Sequence, residues 1–477
     1  MQTVFRTIFR DTVFPTGPNP RYTRAHHEFF YCDNIMSERI NWTSRLGFIL
    51  ASAGAAVGLG AIWKFPYLAG SNGGSAFLFP YVILSFTIGL VLLLAEIALG
   101  RLGKGGIVTA YRAIGGKKWA VFGYLGILTG FCVLCFYSVI GGWTISYLVD
   151  ALLGNSIVAD KSALEAHFGA LVANPMVSIG FQAAFLMFTA WVVVFDVAKG
   201  IERLSKILMP LLLVLVLIVI IRGVTLPGAS AGLSYLFSWN SDAFTWKSLL
   251  AAMGFTFFSL CVGCGCMLTY GSYLAKDTDL VSGCAWITFL ATAASVLGGL
   301  MIMPSVFAFG LDPTAGPGLT FLTMPVVFAQ LPFGQFFAVV FYACLVLAAI
   351  TSSVSLLELV AAYFIDELGM KRFWAVTLVT FVMLVVGSFC GLSFGPLADF
   401  KIAGRTIFDN FDYFTSNLSL PVGGLVVCAL AGLVAWKSVR EELNVGRVRP
   451  AWELAAFRGL LAIGAPVLIL IVLVTGL

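Results

Sequence analysis

Apolar and polar positions divide the chain into long apolar runs joined by short polar connections. The runs lie at about 45–69, 75–100, 119–153, 176–196, 202–222, 245–274, 280–311, 334–365, 373–392, 405–436 and 455–476. Each reaches the roughly 20 residues that a helix needs to cross the hydrocarbon core of a bilayer. Eleven transmembrane helices are therefore predicted, and the fold class is an all-α polytopic membrane protein.

Two runs depart from the pattern of a plain span. The first reads AGAAVGLGAIWKFP, with Gly54, Gly58 and Gly60 at its middle, and the sixth reads FSLCVGCGCMLTYGSY, with Gly263, Gly265 and Gly271. Each glycine costs a helix about 1 kcal/mol relative to alanine. Unwound backbone at membrane depth is tolerated only where it lines a cavity or is buried in protein. Close helix packing is the competing use of such small residues. The breaks fall five spans apart, which favours a 5+5 inverted repeat in which half-helix ends and freed carbonyls meet at the bilayer centre. The domains expected are a leader at 1–38, a first repeat at 39–222 (helices 1–5), an extracellular loop at 223–244, a second repeat at 245–436 (helices 6–10), and a cytoplasmic loop with helix 11 at 437–477.

Composition narrows the class. The chain is 60% hydrophobic and 11% charged, with a mean hydropathy of +0.98, whereas a soluble domain carries about 25% charged residues. A soluble fold is excluded. The net charge of +5 implies no nucleic-acid partner, because in a membrane protein the placement of Lys and Arg matters more than their sum. With a cytoplasmic N-terminus, the outer connections hold only Lys161, Arg222, Lys247, Lys401 and Arg405, and the inner ones hold nearly all the rest. An odd number of spans then puts the C-terminus outside, in the plasma (inner) membrane. Residues 1 to about 40 lack the continuous apolar core of a signal peptide. They are either a disordered cytoplasmic leader or sequence upstream of a start at Met36. Nearly all of the ten cysteines sit in apolar runs, where Cys behaves as a small hydrophobe. The group Cys261, Cys264 and Cys266 lacks the histidine and the fourth ligand expected of a structural zinc site. No nucleophile, base and metal set gathers anywhere, so an enzyme is not expected.

The stretches NWTSRLGFILASAGAAVGLGAIWKFPYLAGSNGGSAFLFPY, AEIALGR, CFYSVIGGW, LAAITSSVS and IFDNFDYF, with the GCG break, resemble the neurotransmitter:sodium symporter family, whose members share the LeuT-type fold. The resemblance covers Arg39 to about Trp436. It implies alternating-access symport of an amino acid with Na+, and a substrate site between helices 1, 3, 6 and 8. The substrate carboxylate would meet amides near Gly58 and Gly60 and the Tyr137 hydroxyl, since half-helix N-termini offer free N–H groups to an anion. The carbonyls of Ala55 and Phe258, with Ser259 nearby, would take the α-amino group. Relatives that carry monoamines have an Asp at the position of Gly58; a glycine leaves room for the substrate's own carboxylate. Val133, Phe258, Cys261, Cys264, Ser352 and Leu356 would line the side-chain pocket. None is charged, so a neutral, large apolar or aromatic amino acid is expected.

By the same resemblance, the carbonyls of Gly54, Val57 and Ala348 and the hydroxyls of Thr351 and Ser352 would hold one sodium ion. The family's first sodium site matches poorly, because Ala61 and Leu290 stand where two amides are usual and only Ser259 and the Ala56 carbonyl remain. The chloride site is equally thin, with Tyr81 and Ser259 kept but Phe255 and Ala294 in place of polar groups. One sodium and no chloride are expected, unless Thr288 or Thr292 supplies the missing oxygen. Lys64 and Asp412 resemble the outer gate, and Arg39 with Asp366, backed by Trp42 and Tyr273, the inner one. Glu96 is expected to satisfy backbone groups. Glu358 follows Thr351 by two helical turns and is read as a proton-titrating group or a hydrogen-bonded structural carboxyl. A proton-coupled or uncoupled transporter on the same fold and a substrate sensor are the competing functions.

Overall fold

The computed structural model describes residues 41–155, 161–314 and 319–476. The expected leader and Arg39 lie outside the described residues. The first helix, α1 (Arg45–Val57), opens where the Ser44 side chain accepts a hydrogen bond from the Gly47 amide at 3.0 Å, which satisfies one of the unpaired donors of a first turn. It continues, after a bend of 42°, as α2 (Gly60–Ser71). The other long helices are α3 (Ser75–Gly103), α4 (Ala120–Leu153), α5 (Pro175–Val194) and α6 (Gly200–Val224). The sixth run forms two pieces, α7 (Trp246–Ser259) and α8 (Cys266–Gly271). After them come α9 (Leu280–Ala308), α10 (Gly334–Leu368), α11 (Arg372–Leu392), α12 (Ile407–Val434) and α13 (Ala451–Val474).

Among the described residues, nine unbroken helices are long and apolar enough to cross a membrane, and the bent pair α1 and α2 makes a tenth. The sixth of the eleven expected spans is present as helices of 14 and 6 residues, each too short to cross alone.

The two runs break where the glycines predicted, but not at every glycine. Gly58 ends α1 and Gly60 opens α2. Gly263 and Gly265 take φ of +95° and +92°, a region that side chains with a Cβ rarely adopt. Gly54 and Gly271 stay inside helices and serve packing. A Cβ on Gly54 would lie 3.3 Å from Thr351 Cβ, and one on Gly271 would run into the Ile97 carbonyl of α3. Both uses of small residues are present: Gly58, Gly60, Gly263 and Gly265 stand at the breaks, and Gly54 and Gly271 serve close packing.

Burial sorts the helices. In its most apolar window α10 is 72% buried and α13 only 22%, so α10 lies at the centre and α13 at the rim. α10 packs along α4 and touches α1, and α9 covers α1 from another side. Trp191, Ile207, Phe381 and Ile463 on peripheral helices point outward, as side chains in contact with lipid do.

Candidate functional site

The two breaks face each other across one cavity. Ala55 and Gly58 come from α1 and its end, Gly60 from α2, Val133 and Tyr137 from α4, Phe258 from α7, Cys261 and Cys264 from the break, and Ser352 and Leu356 from α10. All ten stand among the expected substrate residues. The eleventh, Ser259, lies behind the cavity, where its hydroxyl sits 3.3 Å from Tyr81 Oη. Ala56, Phe257 and Leu420 also line the cavity and were not expected from the sequence.

Polar groups gather at the end of α1. The Leu59 amide donates to Tyr137 Oη at 3.0 Å, so the phenol marks the freed N–H groups of the break. Ser352 Oγ donates to the Ala55 carbonyl at 2.7 Å and lies 3.3 Å from the Gly54 carbonyl. Cys261 Sγ donates to the same Ala55 oxygen at 3.2 Å. A Cβ on Gly58 would overlap Ser352 Oγ and stand 2.7 Å from Tyr137 Oη, which explains why this position excludes any side chain. Glu96 of α3 holds the other break, accepting from the Gly265 amide at 2.8 Å.

Beside the cavity, Thr351 Oγ1 donates to the Ala348 carbonyl at 2.9 Å, and Gly54 packs on Thr351. Val57 is the last residue of α1. The carbonyls of Gly54 and Ala348 and the hydroxyls of Thr351 and Ser352 thus come together where α1 meets α10, and neutral oxygens of this kind suit a hard cation such as Na+. Among the described residues, no cluster of three His, Cys, Asp or Glu is placed to hold a metal ion.

The positions of the first sodium site diverge. Ala61 is fully buried with its carbonyl against Gly298. Leu290 and Ala294 line a separate apolar cavity of about 240 Å³ with Leu50, Val57, Ile62 and residues of α6. Thr288 and Thr292, two residues before each and so on the opposite side of α9, are buried, and their hydroxyls have no hydrogen-bond partner. Near them the Tyr81 hydroxyl lies 3.0 Å from Ser295 Oγ.

Charged residues stand at both ends. Lys64 Nζ lies 3.7 Å from Asp412 Oδ1 and 4.3 Å from the centre of the Phe258 ring, so the aromatic ring separates this pair from the cavity. At the opposite end Asp366 Oδ2 accepts from the Gly106 amide at 2.7 Å; its expected partner Arg39 is outside the described residues. Trp42 donates through Nε1 to the Tyr270 carbonyl at 3.0 Å and through its amide to the Tyr273 carbonyl at 3.1 Å. The Tyr273 hydroxyl donates to Glu358 Oε1 at 2.7 Å. Glu358 is fully buried and ion-paired with Arg372, whose Nε also donates to the Val193 carbonyl at 2.7 Å. Sequence reasoning missed Arg372 as a site residue: it starts the next helix, and no spacing rule connects it to Glu358.

Comparison with known proteins places the chain in a family. The profile of the Sodium:neurotransmitter symporter family matches residues 39–158 and 173–476. An uncharacterized sodium-dependent transporter, YhdH, of Bacillus subtilis (strain 168) is 38% identical over 423 residues, 86% of this chain and 93% of that protein. The human sodium- and chloride-dependent GABA transporter 2 is 28% identical, over 69% of this chain and 62% of its own. The crystal structure of MhsT in complex with L-phenylalanine superposes with a TM-score of 0.86 at 38% identity, covering 92% of this chain and 100% of that one. The chain therefore belongs to the Sodium:neurotransmitter symporter family and is a multi-pass, sodium-dependent membrane transporter rather than an enzyme.

Proposed function

We propose that the chain carries a neutral amino acid with a large apolar or aromatic side chain, by symport with sodium and alternating access. The observation that carries this reading is the cavity between the two breaks: it has no charged side chain in its lining, and Gly58 leaves its polar end to freed amides and the Tyr137 hydroxyl. A zwitterion fits such a site. Its carboxylate meets N–H donors, its ammonium meets carbonyls, and its side chain enters apolar surroundings where an unpaired charge would be costly. That the similar MhsT structure holds L-phenylalanine supports an amino acid of this size. The surplus of Lys and Arg on one side of the membrane supports a cytoplasmic N-terminus.

A binding screen of the twenty amino acids on purified protein, with and without sodium, tests the reading. Large apolar amino acids are expected to compete best, in sodium only, and lysine, glutamate and dopamine-like amines to compete poorly. Potent inhibition by a monoamine would overturn the argument from Gly58.

The coupling we propose is one sodium and no chloride, because Ala61 and Leu290 offer no side-chain oxygen. Uptake should then follow sodium with a Hill coefficient of about 1, since a single ion adds no cooperative term. Replacing chloride by gluconate should leave the rate unchanged. The unpartnered Thr288 and Thr292 hydroxyls favour a second reading, with two sodium ions and a threonine oxygen in place of an amide. A charge-to-flux measurement in proteoliposomes separates the two: two sodium ions per amino acid would reject the first reading.

A further inference from the structure

We propose that Leu420, on α12, sets the upper size of side chain that the substrate cavity accepts. The inference rests on the amino-acid reading above and adds a wall that the spacing of the sequence does not show.

Leu420 is 5% exposed and lines the cavity together with Phe258, Cys261 and Cys264. It is the first residue after the wide helical turn Phe414–Ser419 and is followed at once by Pro421. Its place is held by backbone rather than by side chains. A Cβ on Gly263 would run into the Leu420 carbonyl oxygen, and a Cβ on Gly423 would run into the Gly263 carbonyl. The main chains of α12 and of the broken segment are therefore in direct contact at Leu420 itself and one turn beyond it. With the two backbones already touching, α12 cannot move inward to close a gap, nor can the segment withdraw into α12 to make room. The volume at this wall then depends on side chain 420 itself.

Two other residues of the wall have another task. Phe258 also lies under Lys64, so its ring serves the gate. Cys261 is tied to the Ala55 carbonyl, at the polar end. Leu420 makes no hydrogen bond through its side chain and contributes bulk alone. A hydrophobic pocket separates substrates that differ by one methylene by roughly 10- to 200-fold, so a change of several carbons at this wall is large enough to reorder substrates.

The test uses the full chain, purified in detergent at saturating sodium, with the best-binding amino acid of the screen as radiolabelled probe and tryptophan, leucine and alanine as competitors. Leu420→Ala and Leu420→Val are expected to raise the affinity for tryptophan relative to leucine, by about 10-fold or more in the alanine variant. Leu420→Phe is expected to lower it by a similar factor while alanine binding is kept. The sodium dependence of the probe should be unchanged in all three, which distinguishes a lost wall from a damaged ion site. The Ala and Val variants only remove volume, so the size series remains readable if the Phe variant fails to fold. A tryptophan-to-leucine ratio within about 3-fold of wild type in the Ala and Val variants would overturn the inference. If the wild-type chain bound none of the twenty amino acids, the substrate reading would fall first and the inference with it. Wild-type binding with an unmoved size order would overturn the inference alone.

Discussion

Replacing Thr351 and Ser352 together by alanine is expected to abolish sodium-dependent substrate binding in a protein that still folds. A monovalent cation inside a membrane protein is stable only if oxygens replace its water. The proposed site has five such oxygens, from Gly54, Val57, Ala348, Thr351 and Ser352, and the double change removes two. Little else depends on those hydroxyls. Thr351 Oγ1 bonds a carbonyl of its own helix, and Ser352 Oγ bonds carbonyls at the end of α1. Losing hydrogen bonds of this kind costs about 1 kcal/mol each, well short of unfolding a bundle of this size. The effect on the ion is far larger than the effect on the fold. Sodium titration of substrate binding, with a melting curve of the same sample, measures both. Unchanged sodium dependence in the double variant would remove the assignment of this site.

The second large effect is expected at Glu358. With both oxygens ion-paired or hydrogen-bonded to Arg372 and Tyr273 in a fully buried position, Glu358→Gln leaves the Arg372 guanidinium without its counter-charge. Removing one partner of a buried pair destabilises by roughly 3–5 kcal/mol when the other charge stays buried. The Arg372 side chain, 22% exposed, keeps some contact with water, so a loss toward the lower end is expected. The variant should melt well below wild type, and Glu358→Gln with Arg372→Gln should recover part of the loss, since the two changes act on one interaction. Uptake measured across pH should keep its shape. A flattened pH profile with unchanged melting would show instead that Glu358 exchanges a proton during the cycle. The position makes the distinction matter: Glu358 joins α10, which carries Thr351 and Ser352, to Tyr273 and, through it, to Trp42 at the base of α1.

How much of this was legible beforehand depends on the range of the interaction that decides it. Glycines 58, 60, 263 and 265 announce a break because the preference is local, a property of backbone without a Cβ. Gly54 and Gly271 have the same local preference, yet they lie in helices: what they touch, Thr351 and the Ile97 carbonyl, comes from other parts of the chain. The same holds for α9. A reading by aligned positions puts Leu290 and Ala294 at ion sites, whereas the helix turns them toward an apolar cavity and directs Thr288 and Thr292 inward. Two residues along a helix reverse the facing, and only packing selects the face.

The sequence by itself determined the membrane class, the apolar segments, the two breaks and the family, because hydrocarbon thickness, the cost of burying charge and local backbone freedom act on contiguous residues. The tertiary structure alone decided which side chains meet. Arg372 pairs with Glu358 from across a helix connection, Ser259 turns away from the cavity toward Tyr81, and Leu420 enters it from α12, more than 150 residues beyond the break that it supports. Such contacts arise when helices distant in the chain pack against one another, and they leave no period or spacing in the sequence from which they could be read.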